Sequence, residues 1–269
     1  MTFASAFLLV FFARTVYGSC PGDCPHTKLA FLYESFKCEP KCSNESNCPV
    51  EYKCVDLAAN SNVCYFNGNF YKPDETAQSS LTWEQCMGCS CGLQEVGHPG
   101  TFNCYYADCI MFNVTEGCRL DEKLGECCYT SQVCPPFQTC TIAKQRFLEG
   151  QKFIHPTEKC TKCYCGKGEG GAGVVNCERQ YCLDLLFFQY EIMRKCAPLY
   201  QETDVCCPSG WICPEDNITF EEEHNTGPAP YCTFGTKLLS KGQKFRSSGK
   251  WGNLSCECVL PPYASCKKI

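Results

Sequence analysis

One arrangement of cysteines occurs twice in this chain and constrains its fold more than any other feature. Both copies follow the order C…CxxCxC…CxxxxC…C…CCxxxxxC, the first from Cys64 to Cys134 and the second from Cys140 to Cys213. The gaps written out in this order are identical in the two copies, and the others differ only in length. An internal repeat of this detail predicts two modules of one kind.

The chain holds 30 cysteines in 269 residues, a density typical of secreted, disulfide-stabilised domains. The even count allows full pairing, and such pairing requires an oxidising compartment. Bridges replace the missing core at about 2–4 kcal/mol each. We therefore expect small disulfide-rich modules with short antiparallel β-strands, irregular loops and little helix, arranged as an elongated array. Strands are expected around each CxC, such as 70–71 and 174–176, with turns at 166–173.

The first residues predict secretion. The apolar run from Phe3 to Ala13 is too short to span a bilayer, and Val16 and Gly18 favour cleavage after Gly18, so residues 1–18 are predicted to be a signal peptide. A buried strand or a membrane anchor is the alternative. No later apolar run reaches membrane-spanning length, which predicts an extracellular protein with no membrane span.

Residues 19–62 are predicted to form a separate N-terminal module. The segment Cys42-x5-Cys48-Pro-x3-Lys-Cys54 resembles part of a whey acidic protein four-disulfide core, a family that includes serine-protease inhibitors. The resemblance departs at Val55, where that family has a second cysteine. An unrelated three-disulfide knot is the alternative, and the sequence leaves the pairing of the six cysteines open. They are Cys20, Cys24, Cys38, Cys42, Cys48 and Cys54.

The two repeats resemble the von Willebrand factor type C domain, which occurs in chordin-like secreted antagonists and in many matrix proteins. In the first copy, residues 63–139, the resemblance rests on Gly68, Tyr71, Trp83 and the run Cys86-Met-Gly-Cys89-Ser-Cys91. In the second, residues 140–213, it rests on Cys160-Thr-Lys-Cys163-Tyr-Cys165 and the doublet before Pro208. Both copies have five residues after the doublet, where the family commonly has CC-Pro-x-Cys.

The resemblance implies a pairing order: first with fourth, second with eighth, third with fifth, sixth with ninth, and seventh with tenth. The implied bridges of the first copy are Cys64–Cys91, Cys86–Cys127, Cys89–Cys104, Cys109–Cys128 and Cys118–Cys134. Those of the second copy are Cys140–Cys165, Cys160–Cys206, Cys163–Cys177, Cys182–Cys207 and Cys196–Cys213.

The last part of the chain resembles half of such a module. Residues 214–231 are acidic and proline-containing, which predicts an extended linker. Residues 232–269 hold only template positions one, three, four and five, for which the same order implies bridges Cys232–Cys258 and Cys256–Cys266. With seven basic residues and one acidic residue, this half-module has a formal charge of +6, against −11 for the remainder. We expect it to form a flexible cationic arm.

Nothing in the sequence indicates catalysis. The chain has four histidines, His26, His98, His155 and His224, none of them in a HExxH motif, and it lacks GxSxG, P-loop and dinucleotide-binding patterns. CxxCxC could bind zinc, but the oxidising compartment favours disulfides. We expect no enzyme activity, no metal site and no cofactor. N-glycosylation sequons begin at Asn44, Asn113, Asn217 and Asn253, which predicts a glycoprotein.

Two features are candidate binding surfaces. The stretch from Leu183 to Met193 is crowded with large apolar side chains, of which Phe187, Phe188 and Tyr190 are the candidate partner contacts. The alternative is a local core, and the sequence favours neither. The basic end suggests heparan sulfate or another acidic partner, with Lys241, Lys244 and Arg246 as candidate contacts. Lysines that only solubilise a coreless module are the alternative.

The resemblance implies protein binding, and three functions remain open. The leading hypothesis is a secreted modulator that binds a growth factor of the transforming growth factor-β/bone morphogenetic protein class. The second is a structural component of extracellular matrix, mucus or venom. The third is serine-protease inhibition by the N-terminal module. Type C domains serve many partners, so the fold does not choose among these functions.

Overall fold

The computed structural model describes residues 20–21, 24, 27–58, 62–77, 86–92, 100–110, 113–201, 206–221 and 229–269. The predicted signal peptide lies outside the described residues. So do Trp83, three of the histidines (His26, His98 and His224), and the middle of the predicted linker.

Where the structure describes it, the N-terminal module has one helix and one hairpin. Helix α1 spans Lys28–Ser35, and strands β1 (Glu39–Cys42) and β2 (Pro49–Lys53) pair antiparallel. Thr27 caps the helix because its side-chain oxygen accepts from the backbone N–H of Ala30 at 3.0 Å. The bridges are Cys20–Cys42, Cys24–Cys48 and Cys38–Cys54. They attach the entry of the module and the end of the helix to the hairpin.

The described residues of the first repeat form six short strands. They are β3 (Cys64–Phe66), β4 (Asn69–Tyr71), β5 (Met87–Gly92), β6 (Thr101–Tyr106), β7 (Arg119–Leu120) and β8 (Gln132–Val133), paired β3 with β4, β5 with β6 and β7 with β8. Asn67 and Gly68 both have positive φ at the β3–β4 turn, as expected for an Asn-Gly hairpin. The β5–β6 register places Cys89 opposite Cys104, so a cross-strand bridge forms without distorting the hairpin.

The second repeat follows the same plan with additions. Its elements are β9 (Thr139–Ile142), β10 (Gln145–Leu148), β11 (Lys152–Ile154), β12 (Thr161–Gly166), a 3-10 turn (Glu169–Gly171), β13 (Val174–Arg179), helices α2 (Asp184–Phe187) and α3 (Gln189–Met193), β14 (Ala197–Tyr200) and β15 (Gly210–Ile212). The register of β12 and β13 places Cys163 opposite Cys177, matching the cross-strand bridge of the first repeat. The strands expected at 70–71 and 174–176 lie within β4 and β13.

The C-terminal residues form the largest sheet of the described chain. This sheet has eight strands, of which β14 and β15 come from the second repeat. The other six are β16 (Ile218–Phe220), β17 (Tyr231–Phe234), β18 (Lys237–Ser240), β19 (Lys244–Gly249), β20 (Gly252–Leu260) and β21 (Tyr263–Lys268). The order is β15-β14-β21-β20-β19-β16, and β17 pairs with both β18 and β21. Two expectations are corrected. The half-module is a sheet continuous with the second repeat and not a flexible arm, and β16 lies within the predicted linker.

Two buried clusters hold these parts together. The larger joins α1, the first repeat, α2 and α3, with Leu260 and Tyr263 at the end of the chain. The smaller joins β14 and β15 to the half-module. Tyr33 is fully buried, and its hydroxyl donates to the carbonyl of Leu260 at 2.7 Å and accepts from the N–H of Tyr263 at 3.0 Å. The disulfide-rich fold of short antiparallel strands with little helix is confirmed. The elongated array is corrected, because the first module packs against the last strands.

The bridges of both repeats follow the order that the resemblance implies. Those of the first are Cys64–Cys91, Cys86–Cys127, Cys89–Cys104, Cys109–Cys128 and Cys118–Cys134. Those of the second are Cys140–Cys165, Cys160–Cys206, Cys163–Cys177, Cys182–Cys207 and Cys196–Cys213. The half-module has Cys232–Cys258 and Cys256–Cys266. Each doublet therefore joins two separate segments of its module, which lets it close a module that has little apolar core.

Candidate partner-binding surfaces

The apolar stretch of the second repeat is mainly a core element. Leu185, Leu186 and Ile192 are buried in the larger cluster, and Phe188 packs against that cluster while partly buried. The local-core alternative therefore describes most of the stretch. Phe187 is the exception, because its side chain is 47% exposed.

Two polar anchors fix α2 and α3 in place. Asp184 is buried, and its carboxylate accepts from the indole Nε1 of Trp211 at 3.1 Å. Burial raises the pKa of this carboxyl from 3.8 to about 7, and the Trp211 hydrogen bond partly opposes that rise. The side chain of Gln189 accepts from the backbone N–H of Tyr65 in β3 at 3.1 Å. The second of these anchors couples the two repeats directly.

An exposed aromatic surface lies where the two repeats meet. We use the name aromatic surface for Tyr105, Tyr106 and Phe187, which are 65%, 67% and 47% exposed. The two tyrosines end β6, and α2, which carries Phe187, packs against β6. The ring of Tyr105 covers Gly88 so closely that a Cβ built there would lie 2.4 Å from it. Tyr105 and Tyr106 point to opposite faces of the hairpin, so the name covers exposed aromatic side chains near the junction of the repeats and not one continuous patch. Aromatic side chains are enriched at protein interfaces, which makes these three candidate partner contacts.

Tyr105 and Tyr106 are not among the sequence-predicted contacts, because that prediction rests on runs of large apolar residues and the two tyrosines lie outside such a run. A usable indication was present, since neighbouring side chains of a strand point to opposite faces. Two adjacent tyrosines at the end of a thin two-stranded hairpin cannot both be buried. Tyr190, the remaining predicted aromatic contact, is partly buried, and its ring lies 5.2 Å from the guanidinium of Arg194.

The predicted basic contacts lie on the large sheet. Lys241 is exposed in the turn before β19, and Lys244 and Arg246 are exposed on β19. Both strand residues have acidic partners: Lys244 lies 4.0 Å from Glu257, and Arg246 forms an ion pair with Glu221. Glu221 belongs to the acidic run of the predicted linker, so part of that run contacts the basic half-module.

The four sequon asparagines, Asn44, Asn113, Asn217 and Asn253, are all exposed. Asn217 precedes β16 and Asn253 lies in β20, and residues two apart in a strand point to the same face. The hydroxyl residues of these two sequons, Thr219 and Ser255, flank Arg246 in the strand register. A glycan on Asn253 would therefore extend from the face that carries Ser255, whereas Asn217 lies just outside β16 with a positive φ.

Three groups of cysteines lie close together, one with His155 and another with Asp184. Every cysteine in these groups belongs to a disulfide, so none provides a thiolate ligand. In the part of the chain that the structure describes, no helix is both long and apolar enough to span a bilayer.

Comparison with known proteins bears on the repeats. A curated Mus musculus protein, described as a von Willebrand factor C and EGF domain-containing protein, is 29% identical to this chain over 147 residues. The match covers 55% of this chain but only 13% of the mouse protein. No family model matches the chain, and no solved structure matches it. The match supports the type C-like character of the repeats and does not bear on the whey acidic protein resemblance.

Proposed function

We propose that the chain is a secreted, non-enzymatic glycoprotein that binds an extracellular protein ligand through its two type C-like modules. The leading ligand class is that of the transforming growth factor-β/bone morphogenetic proteins. The fifteen bridges support an oxidising, extracellular location. The similarity to a protein described as containing von Willebrand factor C domains supports the module type.

The observation that carries this proposal is the aromatic surface. Tyr105, Tyr106 and Phe187 come from both repeats, and the elements that carry them are fixed by disulfides, by the buried leucines of α2 and by Gln189. Rigid, exposed aromatic side chains are enriched among the residues that dominate protein interfaces. Because the elements that carry these side chains are held in place before binding, little backbone conformational entropy is lost on association.

The test is binding of the purified chain to a panel of immobilised growth factors of this class, measured by biolayer interferometry. Phe187→Ser and Tyr106→Ser should each weaken binding at least tenfold, which corresponds to about 1.4 kcal/mol. Phe188 is left unchanged because it packs against the core, so its substitution would also affect folding. Leu238→Ser is the matched control, since Leu238 is 55% exposed on β18 of the half-module.

Leu238→Ser should leave the affinity unchanged. Equal losses in all three variants would contradict the aromatic surface as the contact site. Absence of binding across the panel would contradict the growth-factor assignment.

A second candidate partner class is heparan sulfate. The formal charge of +6 in residues 232–269, on a chain whose remainder is acidic, supports it. Five of the seven basic residues, Lys237, Lys244, Arg246, Lys267 and Lys268, lie on strands of the large sheet, which supports a defined arrangement of their backbones.

A further inference from the structure

A groove of about 600 Å³ lies between the start of α1 and the outer face of β20 and β21. We call it the cross-module groove and define it by Lys28, Tyr200, Ser255, Ser265 and Lys267. Its walls come from the N-terminal module, the second repeat and the half-module. The sequence could not place Lys28 beside Lys267, because the two residues are at opposite ends of the described chain.

Lys28 is held in position at this groove. Its ammonium donates to the carbonyl of Gln201 at 3.3 Å and lies 5.4 Å from the ring centroid of Tyr200. The Tyr200 hydroxyl in turn donates to the backbone carbonyl of Lys28 at 3.2 Å. A lysine positioned in this way loses less side-chain entropy on binding an anion than a free surface lysine does.

The strand register extends the groove into a row of side chains. Across β14, β21, β20, β19 and β16, the paired residues are Tyr200, Lys267, Ser255, Arg246 and Thr219. Neighbouring strands lie about 4.8 Å apart, so Lys267 and Arg246 are separated by roughly 10 Å. Lys267 and Arg246 are exposed, whereas the neighbours that point to the other face, Cys256 and Cys266, are buried.

The spacing of the charges indicates the form of the ligand. Lys28, Lys267 and Arg246 follow one another along the groove and the row, with a serine hydroxyl between the last two. A compact anion could contact one of these cations, whereas a linear polyanion crossing the strands could contact all three. Glu257 lines the groove and is paired with Lys244. Arg246 is paired with Glu221, so a sulfate group that contacts Arg246 would replace Glu221 as its partner.

We propose that the cross-module groove and the adjoining row bind a sulfated polysaccharide, with Lys28, Lys267 and Arg246 contacting its sulfate groups. The inference rests on the heparan sulfate part of the proposed function. It moves the binding site from Lys241 and Lys244 to Lys28 and Lys267, and it keeps Arg246. Lys241, a candidate from the sequence, lies in a turn outside the groove. Lys28, which the sequence did not indicate, is a central contact.

The experiment compares two double variants of the full chain on a heparin column eluted with a salt gradient. All proteins are first freed of N-glycans, because the sequons at Asn217 and Asn253 adjoin the row. Lys28→Glu with Lys267→Glu changes the groove, and Lys241→Glu with Lys250→Glu makes the same change of charge at exposed lysines outside it. Wild-type protein should be retained at low salt and released well below 1 M, because the Debye length falls to about 3 Å there. The groove variant should bind heparin at least fivefold more weakly and therefore elute at a lower salt concentration than the wild type. The control variant should elute with the wild type. Lys267→Gln, at an exposed strand position, is a milder second variant and should elute between the groove variant and the wild type.

Three other outcomes would overturn the groove, sulfate recognition or the heparan sulfate function, respectively. Equal loss in the two double variants would mean that only net charge matters, and would overturn the groove. Equal retention of wild-type protein on desulfated heparin would overturn sulfate recognition. No retention of wild-type protein on heparin would overturn the heparan sulfate function itself, while leaving the aromatic surface untouched.

Discussion

The buried carboxyl of Asp184 makes the stability of this protein depend on pH. Asp184 is only 6% exposed, and its carboxylate accepts from the indole N–H of Trp211 at 3.1 Å. Burial penalises the charged form and raises the pKa of Asp184 from 3.8 to about 7, against the lowering effect of the Trp211 hydrogen bond. Between these two pH values the folded protein binds this proton more tightly than the unfolded chain does, so stability falls as pH rises.

The size of the effect follows from the two pKa values. At about 1.4 kcal/mol per pH unit, the whole rise corresponds to roughly 4 kcal/mol. Within a practical range, lowering the pH from 8 to 5.5 should stabilise the wild-type protein by about 2 kcal/mol through this group. Asp184→Asn keeps an oxygen that can accept from Trp211 but removes the ionisation. The variant should lack this stabilisation on acidification.

The assay is guanidinium unfolding with intact disulfides, followed by tryptophan fluorescence at pH 8, 7, 6 and 5.5. The difference in unfolding free energy between the wild type and Asp184→Asn isolates this carboxyl from every other titrating group. Glu169→Gln, at an exposed position, is the control and should follow the wild type. If the wild type and Asp184→Asn changed in parallel across this range, Asp184 would not be the group responsible.

Two other predictions concern separate modules. Tyr33→Phe removes the hydroxyl that bonds the buried Leu260 carbonyl and Tyr263 N–H, and it should lower the unfolding free energy by about 2–3 kcal/mol. The control Tyr105→Phe, at an exposed ring, should change the unfolding free energy little. Equal small effects of the two substitutions would show that Tyr33 does not couple the ends of the chain. Correctly oxidised full-length protein should not inhibit a panel of serine proteases, because its N-terminal module has three bridges and Val55 in place of the second cysteine of the whey acidic protein doublet. Nanomolar inhibition in that panel would restore the whey acidic protein hypothesis.

Local features of this fold could be predicted from the sequence because cysteine spacing and strand pairing are local. A CxC places two sulfurs on one face of a strand, and the β5–β6 and β12–β13 hairpins then bring Cys89 to Cys104 and Cys163 to Cys177. The Asn67–Gly68 turn fixes the β3–β4 register in the same way.

Packing between modules could not be predicted, because it depends on shape over long sequence separations. The sequence predicts a flexible half-module, because its net charge of +6 is held by only two predicted bridges. Its order comes from the parallel pairing of β14 with β21 and from the contact of Tyr33 with Leu260. No local pattern encodes either feature. The same long-range packing creates the cross-module groove and exposes Phe187 while burying its neighbours.

The most direct test of the type C-like organisation is disulfide mapping of the purified, oxidised protein by mass spectrometry after non-reducing digestion. Both doublets should connect to distant cysteines, Cys127 to Cys86 and Cys128 to Cys109 in the first repeat, Cys206 to Cys160 and Cys207 to Cys182 in the second. Bridges within a doublet, or different pairings in the two repeats, would contradict the shared module type and the binding function proposed from it.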